Sequence, residues 1–183
     1  PRSIELQDTY LRLDETIAEF LTYLDKNVGK GNYLVFLTAD HAGAENVTYL
    51  KENKYDVTNV NYKTIKNDLI AFSKTTYGED LVLDYSNYNV FFNKELIKIK
   101  GLELSKVKQE FTTYLYQQKF VKRVYSEEEI LNASGSDFYL NFVVNGYDPV
   151  QNGELVIVLK PGYVEYSATG TTHGSPYTYD THV

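Results

Sequence analysis

The uninterrupted apolar run Tyr33-Leu-Val-Phe-Leu-Thr-Ala39 constrains this chain more than any other feature. Bounded by Gly31 before it and Gly43 after it, the run predicts a buried parallel strand over 33–38. Asp40 and His41 follow at once, at the carboxyl edge where ligands collect in open α/β sheets. A carboxylate and an imidazole delivered together from a rigid support are a hard and a borderline metal ligand. The competing reading is an Asp that caps a helix and a His that fills a gap in the core.

The remaining pattern is that of an α/β protein. Ser3 is placed to cap a helix that carries Tyr10, Leu13, Ile17, Leu24 and Val28 at helical spacing and stops at Gly29 and Gly31. A short helix is expected around Val47–Lys51, an amphipathic one over Lys63–Thr76 and another over Glu103–Gln117. Leu81–Tyr85, Asn89–Phe92 and Leu96–Lys100 read as a small antiparallel strand cluster. Phe120–Tyr125 reads as a half-exposed edge strand whose Lys122 and Arg123 are solvated gatekeepers, and Leu155–Lys160 as a further strand. Short helices are expected to begin at Ser126 and at Ser136.

A second chemical signal lies far from the first. Two of the three histidines fall in Thr171-Thr-His-Gly-Ser-Pro-Tyr-Thr-Tyr-Asp-Thr-His-Val183, where small residues around His173 let the backbone approach a ligand closely. The same composition describes an ordinary surface loop. Taken together, Leu34-Val-Phe-Leu-Thr-Ala-Asp-His-Ala-Gly43 and His173-Gly-Ser-Pro-Tyr-Thr-Tyr-Asp-Thr-His-Val183 resemble the alkaline phosphatase superfamily of two-zinc phosphatases and phosphodiesterases. The nearest likeness is to the bacterial phosphate-irrepressible alkaline phosphatases, with the type I phosphodiesterase and nucleotide pyrophosphatase group beside them. Asp8-Thr-Tyr-Leu-Arg-Leu-Asp14, Asp25–Tyr33 and Leu159-Lys-Pro-Gly-Tyr163 extend the likeness along nearly the whole chain.

The resemblance implies an α/β/α sandwich with a mainly parallel central sheet plus a small antiparallel strand cluster. Residues 1–183 would be the C-terminal part of one catalytic domain, with an insertion over about 44–160. It makes Asp40 and His41 ligands of the zinc that activates a nucleophilic Thr, and His173 the last ligand of a second zinc. His182 falls at a structural position, and Tyr177, Tyr179 and Asp180 fold the loop that holds His173. The Thr and an Asp-x-x-x-His pair that the family needs are missing here. Pro1 matches a Pro that follows such a pair, so both ends are expected to be cuts through a larger fold. A two-metal catalytic site takes about six protein ligands, and this chain offers three. The intact parent is therefore expected to hydrolyse small phosphate monoesters through a phospho-threonine, and this piece alone to bind no zinc stably and to be inactive; the alternatives are a phosphodiesterase or nucleotide pyrophosphatase of the same superfamily, or a non-catalytic metal- or partner-binding module.

Composition narrows the rest. Zero Cys excludes disulfides, thiolate metal sites and Cys nucleophiles. With 25 acidic against 18 basic residues, nucleic acid is not an expected partner. No run reaches the roughly 18 apolar residues of a membrane span. The expected partner is the missing part of the same domain, and self-association through the cut faces is a further expectation. The resemblance implies a periplasmic parent.

Overall fold

The computed structural model describes residues 2–135, 137–165 and 170–183. Helix α1 (Ile4–Leu24) starts where expected, with the Ser3 hydroxyl accepting from the Leu6 N–H at 3.2 Å. It widens into one π turn (Asp25–Gly29), and the Tyr33 hydroxyl donates to Asp25 Oδ1 at 2.6 Å across the chain reversal. None of the 21 residues of α1 is buried. Its cap and i,i+4 contacts define the helix, and its apolar face meets no core among the described residues.

The predicted strand over 33–38 does not form. Leu34, Phe36 and Leu37 are 88%, 84% and 78% exposed, and the segment has no regular secondary structure. Among the described residues no backbone hydrogen bond joins 33–39 to another segment. A strand exists only as part of a ladder, so an apolar run without a neighbour keeps the propensity and loses the structure.

Order resumes at α2 (Val47–Glu52), capped by Asn46. A two-residue strand, β1 (Thr58–Asn59), pairs in parallel with β6 (Tyr163–Val164). Helix α3 (Tyr62–Tyr77) is capped by Asn61 and closed by Gly78, whose φ of 70° is the left-handed conformation of a helix stop. Strands β2 (Val82–Ser86) and β3 (Asn89–Phe92) form a hairpin whose two-residue turn, Asn87-Tyr88, has positive φ at both positions.

The third expected strand of that cluster is a helix, α4 (Lys94–Ile99). Asn93 caps it by accepting from the Leu96 N–H at 3.0 Å. A five-residue stretch such as Leu96–Lys100 fits either period, and the Asn cap decides it. Helix α5 (Leu104–Tyr116), edge strand β4 (Val121–Ser126), α6 (Glu127–Leu131) and α7 (Phe138–Gly146) follow. Ser126 and Glu129 make a full capping box for α6, and Asp137 caps α7; Ser136, the expected start of α7, lies outside the described residues. Strand β5 (Leu155–Leu159) and the one-turn α8 (Thr178–Thr181) complete the order.

β2, β3, β5 and β4 form a four-stranded antiparallel sheet in that order. α3 and α5 cover it, burying Leu69, Leu81, Tyr85, Val90, Phe111, Leu115 and Leu155. Burying such side chains is worth about 1.5–3 kcal/mol each relative to leaving them exposed, so this packing dominates the stability of the chain. Glycine is required at Gly153, where a Cβ would stand 2.4 Å from the Val90 carbonyl oxygen across the β3–β5 contact. Among the described residues no helix is long and apolar enough to cross a membrane.

Candidate metal centre

The two signal segments meet. The Ala42 N–H donates to the Asp180 carbonyl at 2.9 Å, and the Ala44 N–H to the Thr172 carbonyl at 3.0 Å. The Thr171 hydroxyl adds a bond to the Ala44 carbonyl. This backbone clamp brings the rings of His41 and His173 into a stack, with centroids 3.6 Å apart and planes 18° from parallel. Gly174, at φ +106°, takes a backbone conformation that residues with side chains rarely adopt as the chain leaves His173.

The next helix is capped by Asn46, not by Asp40, and His41 is partly exposed rather than packed in a core. His41 Nδ1 lies 2.6 Å from the Ala42 carbonyl oxygen. A carbonyl only accepts, so Nδ1 is the donor in this contact and the ring is oriented by it. His41 Nε2 is 3.4 Å from Asp40 Oδ2. Zinc bonds of about 2.0–2.2 Å at the tetrahedral angle put two donor atoms about 3.4 Å apart, so the spacing suits one cation.

The loop after His173 is held from below. Asp180 is 4% exposed, and its Oδ2 accepts the Ser175 N–H at 2.6 Å. Through its side chain it holds the His173 loop, and through its carbonyl it holds the residue after His41. The Tyr177 hydroxyl donates to the Leu159 carbonyl at 2.7 Å, tying the same loop to the end of β5, and Tyr177 stacks on Tyr179. His182 is an exposed cap residue of α8.

Asp40 and the two rings therefore form one cluster, but they do not converge on a single point. Among the described residues no group of three or more His, Cys, Asp or Glu is arranged to hold a metal ion. Lys122 and Arg123 stand beside a bulge in β4, both over the Tyr139 ring at 5.7 and 5.9 Å, which accounts for them without a ligand. What sequence reasoning missed is a cleft of about 310 Å³ beside His173, walled by α7 and β5. The apolar pattern of Phe138–Gly146 marks α7 as a helix but not the side on which it leaves a gap.

A model of the type I phosphodiesterase / nucleotide pyrophosphatase family matches residues 1–182. The chain is 39% identical over 185 residues to alkaline phosphatase PafA of Elizabethkingia meningoseptica, covering all of this chain and 34% of that protein. It is 37% identical to a Myroides odoratus protein named calcium-transporting ATPase, covering 99% of this chain and 34% of that protein. The crystal structure of wild-type PafA superposes with a TM-score of 0.88 at 38% identity, over all of this chain and 35% of that one. The chain thus spans about a third of the relatives it matches.

Proposed function

The chain belongs to the type I phosphodiesterase / nucleotide pyrophosphatase family, and on that premise we propose that it supplies part of a two-zinc phosphate monoester hydrolase. The α/β architecture and its superposition on an alkaline phosphatase agree with that premise. The observation that carries the reading is the meeting of Asp40, His41 and His173 from opposite ends of the chain. Imidazole lone pairs lie in the ring plane, so two near-parallel rings 3.6 Å apart suit two neighbouring ions better than one. Two-metal hydrolases place their ions about 3.5–4 Å apart.

Asp40 and His41 would hold one zinc and His173 the other, with the remaining ligands outside these residues. Zinc, when bound, supplies positive charge that lowers the pKa of a nucleophile and stabilises a leaving oxygen. The residues present here orient those charges: the Ala42 carbonyl orients the His41 ring, and Asp180 fixes the spacing of the two loops. We expect the threonine that carries the phosphoryl group to lie outside the 183 residues, and the chain alone to turn over no phosphate ester. The parent is assigned to the periplasm by the same resemblance.

The family description and one relative's name keep rival substrates in view: the former points to diesters and nucleotide pyrophosphates, and the Myroides protein's name to ATP. The test is made in the full-length protein with methyl phosphate, a diester and ATP as substrates. His41→Ala and His173→Ala should each lower bound zinc and cut monoester turnover by more than about a hundred-fold, beyond the usual loss from an outer-shell partner. Undiminished turnover in both variants would remove the proposal. Faster cleavage of the diester or ATP than of the monoester would move it to the rival substrate.

A further inference from the structure

We propose that Asn46 is a positioning residue for His173, tying the segment that enters His173 to the loop that leaves His41. The inference rests on the preceding reading of the metal centre and adds to it a residue outside its ligands. The two segments already share one rung, from the Ala44 N–H to the Thr172 carbonyl at 3.0 Å. In an antiparallel pair the next rung lies two residues further along each segment, here between residues 46 and 170. A side chain fills that rung: Asn46 Nδ2 donates to the Gly170 carbonyl at 2.9 Å. The Asn46 backbone N–H is not free to do so. It has turned to begin α2 and donates to Glu45 Oε1 at 2.9 Å.

One amide serves two purposes. Its Oδ1 accepts the Tyr49 N–H at 3.1 Å and caps α2, while its Nδ2 holds Gly170. An N–H only donates and a carbonyl only accepts, so the cap and the tie need opposite ends of the amide. Glu45 braces the arrangement: its Oε2 accepts from Arg2 at 2.8 Å, and the Arg2 guanidinium lies 3.7 Å over the Tyr49 ring. His173 is thus bracketed. Asn46 holds the chain three residues before it, and Asp180, through the Ser175 N–H, two residues after it. Losing the first anchor would leave the entering segment free to turn about the rung at Thr172 and carry the His173 ring off His41.

The experiment uses the full-length protein with Asn46→Asp and Asn46→Ala. Asp caps a helix as well as Asn does but has no donor for Gly170, so it removes the tie and spares the helix. Asn46→Asp should therefore leave the denaturation midpoint of the metal-free protein unchanged, whereas Asn46→Ala, which also loses the cap, should lower it. Asn46→Asp should weaken zinc binding, titrated against a chelator, by about three- to tenfold, the effect of one neutral hydrogen bond. In the metal-free protein, hydrogen-exchange protection over 42–45 should fall by a similar factor while 47–52 keeps its own. Unchanged zinc affinity in Asn46→Asp, or protection lost equally over 42–45 and 47–52, would overturn the proposal. If the wild type binds no zinc, the reading of the metal centre fails by itself. Exchange then decides alone: selective loss over 42–45 upholds the tie, and unchanged protection ends it.

Discussion

Replacing Asp180 with alanine tests how the two ligand loops are held in register. The variant removes the acceptor for the Ser175 N–H, a 2.6 Å bond made by a side chain on a residue only 4% exposed. Hydrogen bonds to charged groups contribute about 1.5–3 kcal/mol, and burial protects this one from solvent screening. The backbone bond from Ala42 to the Asp180 carbonyl needs no side chain, so the loops stay in contact but lose their spacing. At about 1.4 kcal/mol per decade, the loss corresponds to roughly a ten- to hundred-fold weaker hold on metal in the full-length protein. The assay is a competitive zinc titration against a chelator, paired with denaturant unfolding of the metal-free protein. Asp180→Asn retains an oxygen for Ser175 and should recover most of the loss. Alanine and wild-type proteins with the same zinc affinity would refute the role assigned to Asp180.

Further outcomes follow from the packing. Gly153→Ala puts a Cβ 2.4 Å from the Val90 carbonyl oxygen, against backbone that cannot swing aside. It should cost about 1–3 kcal/mol or more, read as a lower denaturation midpoint at unchanged slope. Glu154 accepts the buried Phe92 N–H at 2.8 Å, so Glu154→Ala strands that donor and should cost about 1–3 kcal/mol by the same measurement. The hydrogen bond from Lys108 holds the Glu128 carboxyl below its usual range. That contribution is present above the carboxyl's unfolded-state pKa, about 4.3, and is lost as pH falls through the lower folded value. Glu128→Gln should flatten the acid limb of the stability–pH curve, and an unchanged limb would contradict the assignment. The isolated chain should self-associate through Leu34, Phe36 and Leu37, seen as concentration-dependent sedimentation; a monomer at high concentration would contradict it.

The amino-acid order was informative wherever a local rule dictates the answer. Ser3 and Ser126 begin helices where their hydroxyls cap the first turn, which needs no distant partner. Periodicity placed α3 and α5, whose apolar stripes are long enough to separate period 3.6 from period 2. It failed over Leu96–Lys100, where five residues satisfy both periods and the single Asn93 cap chose the helix. Leu34–Leu37 failed for another reason, since a strand is a relation between segments and this run has no partner among the described residues. For the candidate site, the sequence alone singled out Asp40, His41 and His173 by residue type and motif. Only the tertiary structure decided that His41 and His173 stack, that Asp180 bridges their loops, and that α7 leaves a cleft beside them. Caps and turns are written in neighbouring residues. Distances between loops arise from the packing of elements far apart in the chain, and no local pattern encodes them.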